Sequence, residues 1–290
     1  MSPKAYHQPL VDFARKKDFF VGVDSDGCVF DSMELKQKEC FCPAFIHWFD
    51  LQGVGAVARE TWEYVNLYSR SRGLNRYLAL RRALDILATK AQVTERGVKI
   101  PAMEGLRSWI RDAPSLDLAG LKARLEETGD PDLSVVWNWS SDVNRTVEKN
   151  VRGLGPLPGA RKALEEIARR ADIMVVSQTP GADLHREWKE HGIHTYSGLI
   201  AGQEFGTKAE HLTYGAVGKY DRQKILMIGD APGDLEAAKL NGVSFFPILP
   251  GQENESWVRL LDQGLEKFFS GTFAGEYETG LIKKFDELLP

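Results

Sequence analysis

Three observations in the sequence predict an α/β fold, a parallel sheet covered by helices, with a helical module inserted after the first strand. An apolar, β-branched and aromatic run, Phe19-Phe20-Val21-Gly22-Val23, stops abruptly at Asp24-Ser25-Asp26-Gly27. After residue 153, helix-period stretches and short apolar runs alternate. Between these two regions the spacing is helical throughout, and no convincing strand interrupts it.

Taken in order, residues 19–25 read as a buried strand closed by turn residues. From about 33 to 152, Leu80, Leu84 and Leu87 fall at i, i+4, i+7. Met103, Leu106 and Ile110 fall at i, i+3, i+7, as do Leu118, Leu121 and Leu125. The turn-rich segment Gly153-Leu154-Gly155-Pro156-Leu157-Pro158-Gly159 returns the chain to the sheet. Helix 160–170 then leads to strand 173–176, and helix 182–191 to a short strand at 198–201. Helix 208–217 leads to strand 224–228, and helix 232–241 to strand 243–248. Parallel strands need crossovers of this length, and right-handed ones put helices on both faces. The expected domains are therefore a core of 1–32 with 153–290, and a helical module of 33–152. In the tail, 251–290, Trp257, Leu260, Leu261 and Leu265 form one apolar face, and Leu281, Phe285, Leu288 and Leu289 another. Such faces suit either the core or a homodimer contact.

Composition narrows the function classes. The chain has 290 residues, 43% of them apolar, enough for a sizeable core. Its net charge of −4 offers no basic field for nucleic acid. No apolar stretch approaches a membrane span, and residues 1–20 lack the apolar core of a signal peptide. A cytoplasmic protein is the expectation. Three cysteines, Cys28, Cys40 and Cys42, are too few and too badly spaced for a disulfide framework or a zinc site, and are expected as buried thiols. His47, His185, His191, His194 and His211 show no ligand spacing.

Parallel α/β sheets bind ligands beyond the carboxyl ends of their strands. The first strand ends in Asp24-Ser25-Asp26, the second in Ser177-Gln178-Thr179, and the fourth in Gly229-Asp230-Ala231-Pro232-Gly233-Asp234; Lys208 opens the helix before the fourth. Individually, Ser177 or Asp230 could be a helix cap and Lys208 a solvated lysine. Together they put four carboxylates, a hydroxyl and an ammonium at one sheet edge. Residues two apart on a strand point the same way, so Asp24 and Asp26 can face one site. Their repulsion is relieved by a hard divalent cation, and Mg²⁺ favours one or two carboxylates, waters and a substrate phosphate. Asp24 and Asp230 would supply the carboxylates, leaving Asp26 to carry a proton.

In this order the residues resemble the four motifs of the haloacid dehalogenase-like (HAD) superfamily: Asp-x-Asp in VGVDSDGCVF, the Ser of IMVVSQ, the Lys of FGTKAEHL and the Gly-Asp with a following Asp in ILMIGDAPGDLEAAKLNGV. The resemblance spans 19–250 and implies a Rossmann-like parallel core with an all-helical type-one cap. Cys28 departs from the Thr or Val of many members. Carried over, the resemblance makes Asp24 the nucleophile that forms an aspartyl-phosphate, and Asp26 the acid and then the base. It gives Ser177 and Lys208 the phosphoryl oxygens. It assigns Mg²⁺ to Asp24, the Asp26 carbonyl, Asp230, and Asp234 through water or as a brace for Lys208. The second aspartate sets the chain apart from haloacid dehalogenases, phosphonatases and P-type ATPases.

The implied function is a Mg²⁺-dependent phosphatase acting on a small phosphorylated metabolite. A phosphomutase is the nearest alternative, a non-catalytic phosphoryl-binding protein a more distant one, and a signalling receiver puts its accepting Asp on a later strand. In the module, Arg72, Asn75 and Arg76 of the stretch Tyr68–Arg76, with Gln178 beside Ser177, are the candidate substrate contacts. Arginines there suit a second phosphate or a carboxylate; the alternative is a solvated helix–helix turn. Trp48, Trp62, Tyr64, Tyr68, Trp109, Trp137 and Trp139 read mostly as helix–helix core.

Overall fold

The computed structural model describes residues 3–113 and 115–290. The chain divides into two compact units, Met1–Ser32 with Gly153–Pro290, and Met33–Arg152.

The first unit is built on five parallel strands, β1 (Phe19–Val23), β2 (Ala171–Val176), β3 (Leu199–Ala201), β4 (Ile225–Gly229) and β5 (Ser244–Pro247). Their order is β3-β2-β1-β4-β5. Its helices are α1 (Gln8–Val11), α2 (Pro158–Arg170), α3 (Gly181–Glu190), α4 (Lys208–Gly215), α5 (Pro232–Asn241), α6 (Glu253–Arg259), α7 (Leu265–Ser270) and α8 (Glu276–Leu288). Alternate strand residues feed opposite faces, as the two-residue period requires. Val21, Val23, Ile173, Val175, Leu226, Ile228 and Phe246 join a core with α2, α3, α6 and α7. Phe20, Met174, Val176, Ile225, Met227 and Phe245 join a second core with α1, α4, α5 and α8. Both faces are covered, which is why the strands read as continuous apolar runs.

Most element ends fall within two residues of the sequence expectation, and the differences have local causes. β1 stops at Val23, not residue 25, because the Ser25 carbonyl turns to accept from the amides of Val29 and Phe30. Asp24 and Asp26 therefore lie in a loop, and the strand periodicity invoked to align them does not apply. Helix α2 starts at Pro158, whose fixed φ suits a first helical position. The tail packs on the core: Trp257, Leu260 and Leu265 are buried on one face, and Phe285 and Leu289 on the other. Leu288, expected on that second apolar face, is exposed.

Among its described residues the second unit has helices and no strand; the helices include Gly55–Asn66, Arg76–Ala88, Glu104–Asp112, Leu118–Thr128 and Pro131–Asn150. Leu80, Leu84 and Leu87 are buried. Met103 is also buried but precedes its helix, in a left-handed conformation. Trp62 and Trp139 pack edge to face with ring centres 5.9 Å apart, and both are fully buried, so these rings are core. All three cysteines are free and buried, and among the described residues no helix is long and apolar enough to cross a membrane.

One buried group makes the first unit acid-sensitive. His211, on α4, is fully buried, and burial, reinforced by the Lys208 charge, lowers its pKa to about 4. The unfolded chain binds this proton below about pH 6.5 while the folded chain does not, so stability is complete above that pH and declines as pH falls toward 4. The His211→Leu variant is expected to lose about 3 kcal/mol less unfolding free energy than the parent between pH 6.5 and 4. Urea titrations at the two pH values measure the difference.

Candidate active site

The site forms where the strand order reverses. β2 and β3 lie on one side of β1 and β4 and β5 on the other, so the segments after β1 and β4 open beside each other. The Asp24 amide donates to the Ile228 carbonyl at 2.9 Å, tying the end of β1 to β4. Gly27 turns the following loop with a positive φ of 76°, which a side chain would strain. Two buried indoles hold this loop. Trp188 Nε1 of α3 donates to Ser25 Oγ at 3.0 Å, and Trp257 Nε1 of α6 donates to the Cys28 carbonyl at 2.9 Å.

Lys208 is delivered by a capping box. Thr207 accepts from the Glu210 amide at 3.2 Å, and the Glu210 carboxylate accepts from the Thr207 amide at 2.8 Å, fixing the start of α4. From there Lys208 Nζ donates to Asp24 Oδ2 and Asp234 Oδ1, both at 2.7 Å. Asp24 Oδ1 accepts from the Ser25 amide at 2.7 Å. Asp234 Oδ2 accepts from the Ala231 amide at 3.1 Å, so this residue also stabilises the first turn of α5. Gly229 permits the arrangement: a Cβ there would overlap the Asp234 carboxylate.

Asp24, Asp230 and Asp234 are all buried, with one carboxylate oxygen from each within 4.8 Å of the others. Three carboxylates around one ammonium leave the cluster short of positive charge. Burial, then the charges of Asp24 and Asp230, push Asp234 upward against the pull of Lys208. Burial alone would lower the Lys208 pKa, but Asp234 and Asp24 hold it well above the ordinary lysine range. The donor set is all oxygen and anionic, which fits a hard divalent cation such as Mg²⁺. Cys28, at the back of the loop, is no thiolate: burial, then the Asp230 and Asp24 charges, raise its pKa well above the usual thiol value.

The remaining candidates divide. The Asp26 carboxylate accepts from Ser32 Oγ at 2.5 Å and Thr179 Oγ1 at 2.8 Å. Ser177 is buried at the end of β2, its amide bonded to the Ala201 carbonyl. Gln178 Nε2 donates to the Gly206 carbonyl at 2.9 Å, linking this turn to the one before Lys208. In the helical unit, Asn75 caps its helix through the Tyr77 amide and reaches the Leu116 carbonyl at 2.8 Å. Arg76 Nη1 donates to Asn144 at 2.7 Å and Ser140 at 3.1 Å, and the buried Arg72 donates to the Leu67 carbonyl at 3.3 Å. Sequence reasoning gave Thr179, Ser32, Trp188 and Trp257 no role at the site. Thr179 and Ser32 lie within a few residues of the motifs, and that proximity was the available signal. The two tryptophans carried none, being far from the loop in sequence.

Substituting Gly229→Ala is expected to cost about 1–3 kcal/mol, by forcing the Asp234 carboxylate off its bond to Lys208. Urea unfolding reads this loss, and an unchanged midpoint would contradict the close packing described.

No family model and no curated protein matches the chain. Solved structures do. A protein described as a putative haloacid dehalogenase-like hydrolase, from Bacteroides fragilis, superposes with a TM-score of 0.51 at 16% identity, over 83% of this chain and 93% of that one. A protein described as a predicted phosphatase, from Clostridium acetobutylicum, gives 0.47 at 11% identity, over 87% and 100%. One described as a predicted phosphoglycolate phosphatase, from Haemophilus somnus, gives 0.47 at 14% identity, over 86% and 99%. With a parallel five-stranded sheet, the order β3-β2-β1-β4-β5 and the match to the Bacteroides structure, this chain has the fold of the haloacid dehalogenase-like hydrolases.

Proposed function

We propose that the chain is a Mg²⁺-dependent phosphomonoesterase that acts on a small phosphorylated metabolite through an aspartyl-phosphate on Asp24. One observation carries this reading. Asp24 is a buried carboxylate gripped by the Lys208 ammonium and the Ser25 amide, beside two more buried carboxylates at the sheet's reversal point. A nucleophile needs that fixed orientation, and an incoming phosphoryl group needs the positive charge.

Asp24 attacks phosphorus in line, forming an O–P bond as the ester P–O bond breaks. Asp26 passes its proton to the departing alkoxide. Water then attacks the aspartyl-phosphate, Asp26 takes its proton, and the Asp24 O–P bond breaks to free inorganic phosphate. Lys208 and Ser177 hold the phosphoryl oxygens; positioning and charge neutralisation do most of the work in such transfers. Asp24, Asp230 and the Asp26 carbonyl would hold Mg²⁺, with Asp234 bracing Lys208 or acting through water. Bound there, Mg²⁺ supplies neutralisation of the phosphoryl charge. The unit 33–152 is assigned the role of substrate-selecting cap. Arg72, Asn75, Arg76 and Gln178 are the residues assigned to substrate contact, the two arginines to a second acidic group on the substrate.

Purified protein is expected to hydrolyse p-nitrophenyl phosphate with Mg²⁺, to lose activity in EDTA, and to lose at least 100-fold with Asp24→Asn (a removed nucleophile leaves on the order of background). Inorganic phosphate as product separates this from a mutase, which would return a rearranged phosphoester. Binding can be read apart from turnover: Mg²⁺ at roughly 100 times its Kd should stabilise the fold by about 2.7 kcal/mol. Asp230→Asn should abolish that increment in a thermal melt.

A further inference from the structure

We propose that Thr179, together with Ser32, is a positioning residue for the Asp26 carboxylate, aiming it at the oxygen of the leaving alcohol. The inference rests on the reading of Asp26 as the group that exchanges the proton. Thr179 Oγ1 donates to Asp26 Oδ2 at 2.8 Å, and Ser32 Oγ donates to Asp26 Oδ1 at 2.5 Å. The two hydroxyls come from different segments, one after β2 and one after β1, and each takes a different oxygen of the same carboxylate. Rotation of the carboxylate would break both bonds.

Thr179 is itself fixed. Its amide donates to Ser177 Oγ at 3.3 Å, and its carbonyl accepts from the Gln203 amide at 3.2 Å, in the segment after β3. Gln178, next to it, is tied to the Gly206 carbonyl, and Gly181 donates to Glu204 at 2.7 Å. The turn that supplies Ser177 to the phosphoryl group thus also supplies the hydroxyl that orients Asp26. The choice of hydroxyls matters chemically. A hydroxyl can donate to an ionised carboxylate and, after rotating, accept from a protonated one, whereas an ammonium or guanidinium can only donate. Asp26 gives its proton to the alkoxide as the ester P–O bond breaks and takes one from water as the second O–P bond forms. Two hydroxyls can follow it through both states without leaving a bond unmade.

Leaving groups test this. p-Nitrophenolate departs with little help, while an alkoxide such as that of glycerol 3-phosphate must be protonated. kcat/KM reports the step in which the ester bond breaks, and general acid assistance there contributes roughly 10²–10⁴-fold. Thr179→Val, close in shape but without the hydroxyl, is expected to lower kcat/KM on glycerol 3-phosphate by at least about 10-fold. On p-nitrophenyl phosphate the loss should be within about 3-fold, because that step needs little acid assistance. Thr179→Ser should restore the alkyl activity, and Ser32→Ala should repeat the split. Equal losses on both substrates would make Thr179 merely structural and overturn the inference, as would an unchanged alkyl rate. A parent protein inert toward both esters that also fails to bind beryllium fluoride with Mg²⁺ would instead overturn the phosphatase reading, and this inference with it.

Discussion

A single ammonium set between two buried carboxylates organises the carboxyl edge of the sheet. Lys208 bonds Asp24 and Asp234 at 2.7 Å each, joining the ends of β1, α4 and α5. Buried ion pairs contribute little net stability, because desolvation offsets most of the attraction. Their value is orientation. A lysine that could leave would let Asp24 and Asp234 repel each other and Asp230, and the fold would have to protonate one of them. Burial and the charges of Asp24 and Asp230 push Asp234 upward in the same sense.

The rest of the first unit keeps this bridge in place. The capping box at Thr207 and Glu210 fixes where α4 starts, and so where Lys208 emerges. His7, buried in the N-terminal segment, lies with Nε2 3.4 Å from the Glu210 carboxylate of the same cap. The loop carrying Asp24 is held by indole N–H groups from α3 and α6, which lie on the same face of the sheet. The tail therefore belongs to the support of the site as well as to the core. A polar loop at a sheet edge must have its backbone groups satisfied, and here Trp257 of α6, 229 residues away in sequence, does so for the Cys28 carbonyl.

Asp24 and Asp26, two residues apart, have been given different environments. One is gripped by a cation and an amide; the other is held by two hydroxyls. Like charges this near each other are tolerable when each has its own partners and the backbone between them is turned rather than extended. The turn at Gly27 and the bonds from Val29 and Phe30 to the Ser25 carbonyl create that separation. Identical side chains are thereby given the different surroundings that the two proposed roles, nucleophile and proton carrier, would need.

The parallel sheet, its five strands and the helices between them were legible in the sequence, because strands buried on both faces leave uninterrupted apolar runs such as Phe19–Val23 and Ile225–Ile228. The residues gathered at the strand ends were legible too, since a parallel sheet sends all its carboxyl ends to one edge. What the sequence by itself could not carry was direction and support. It placed Asp24 and Asp26 on one strand face, whereas loop hydrogen bonds turn them to separate partners. It left the tail between core and dimer contact, whereas packing puts it on both faces of the sheet. Trp188, Trp257, Thr179 and Ser32 gained their roles only from tertiary structure. A hydrogen bond between residues such as Trp257 and Cys28 exists only once the chain between them has folded, and no local period or motif encodes it.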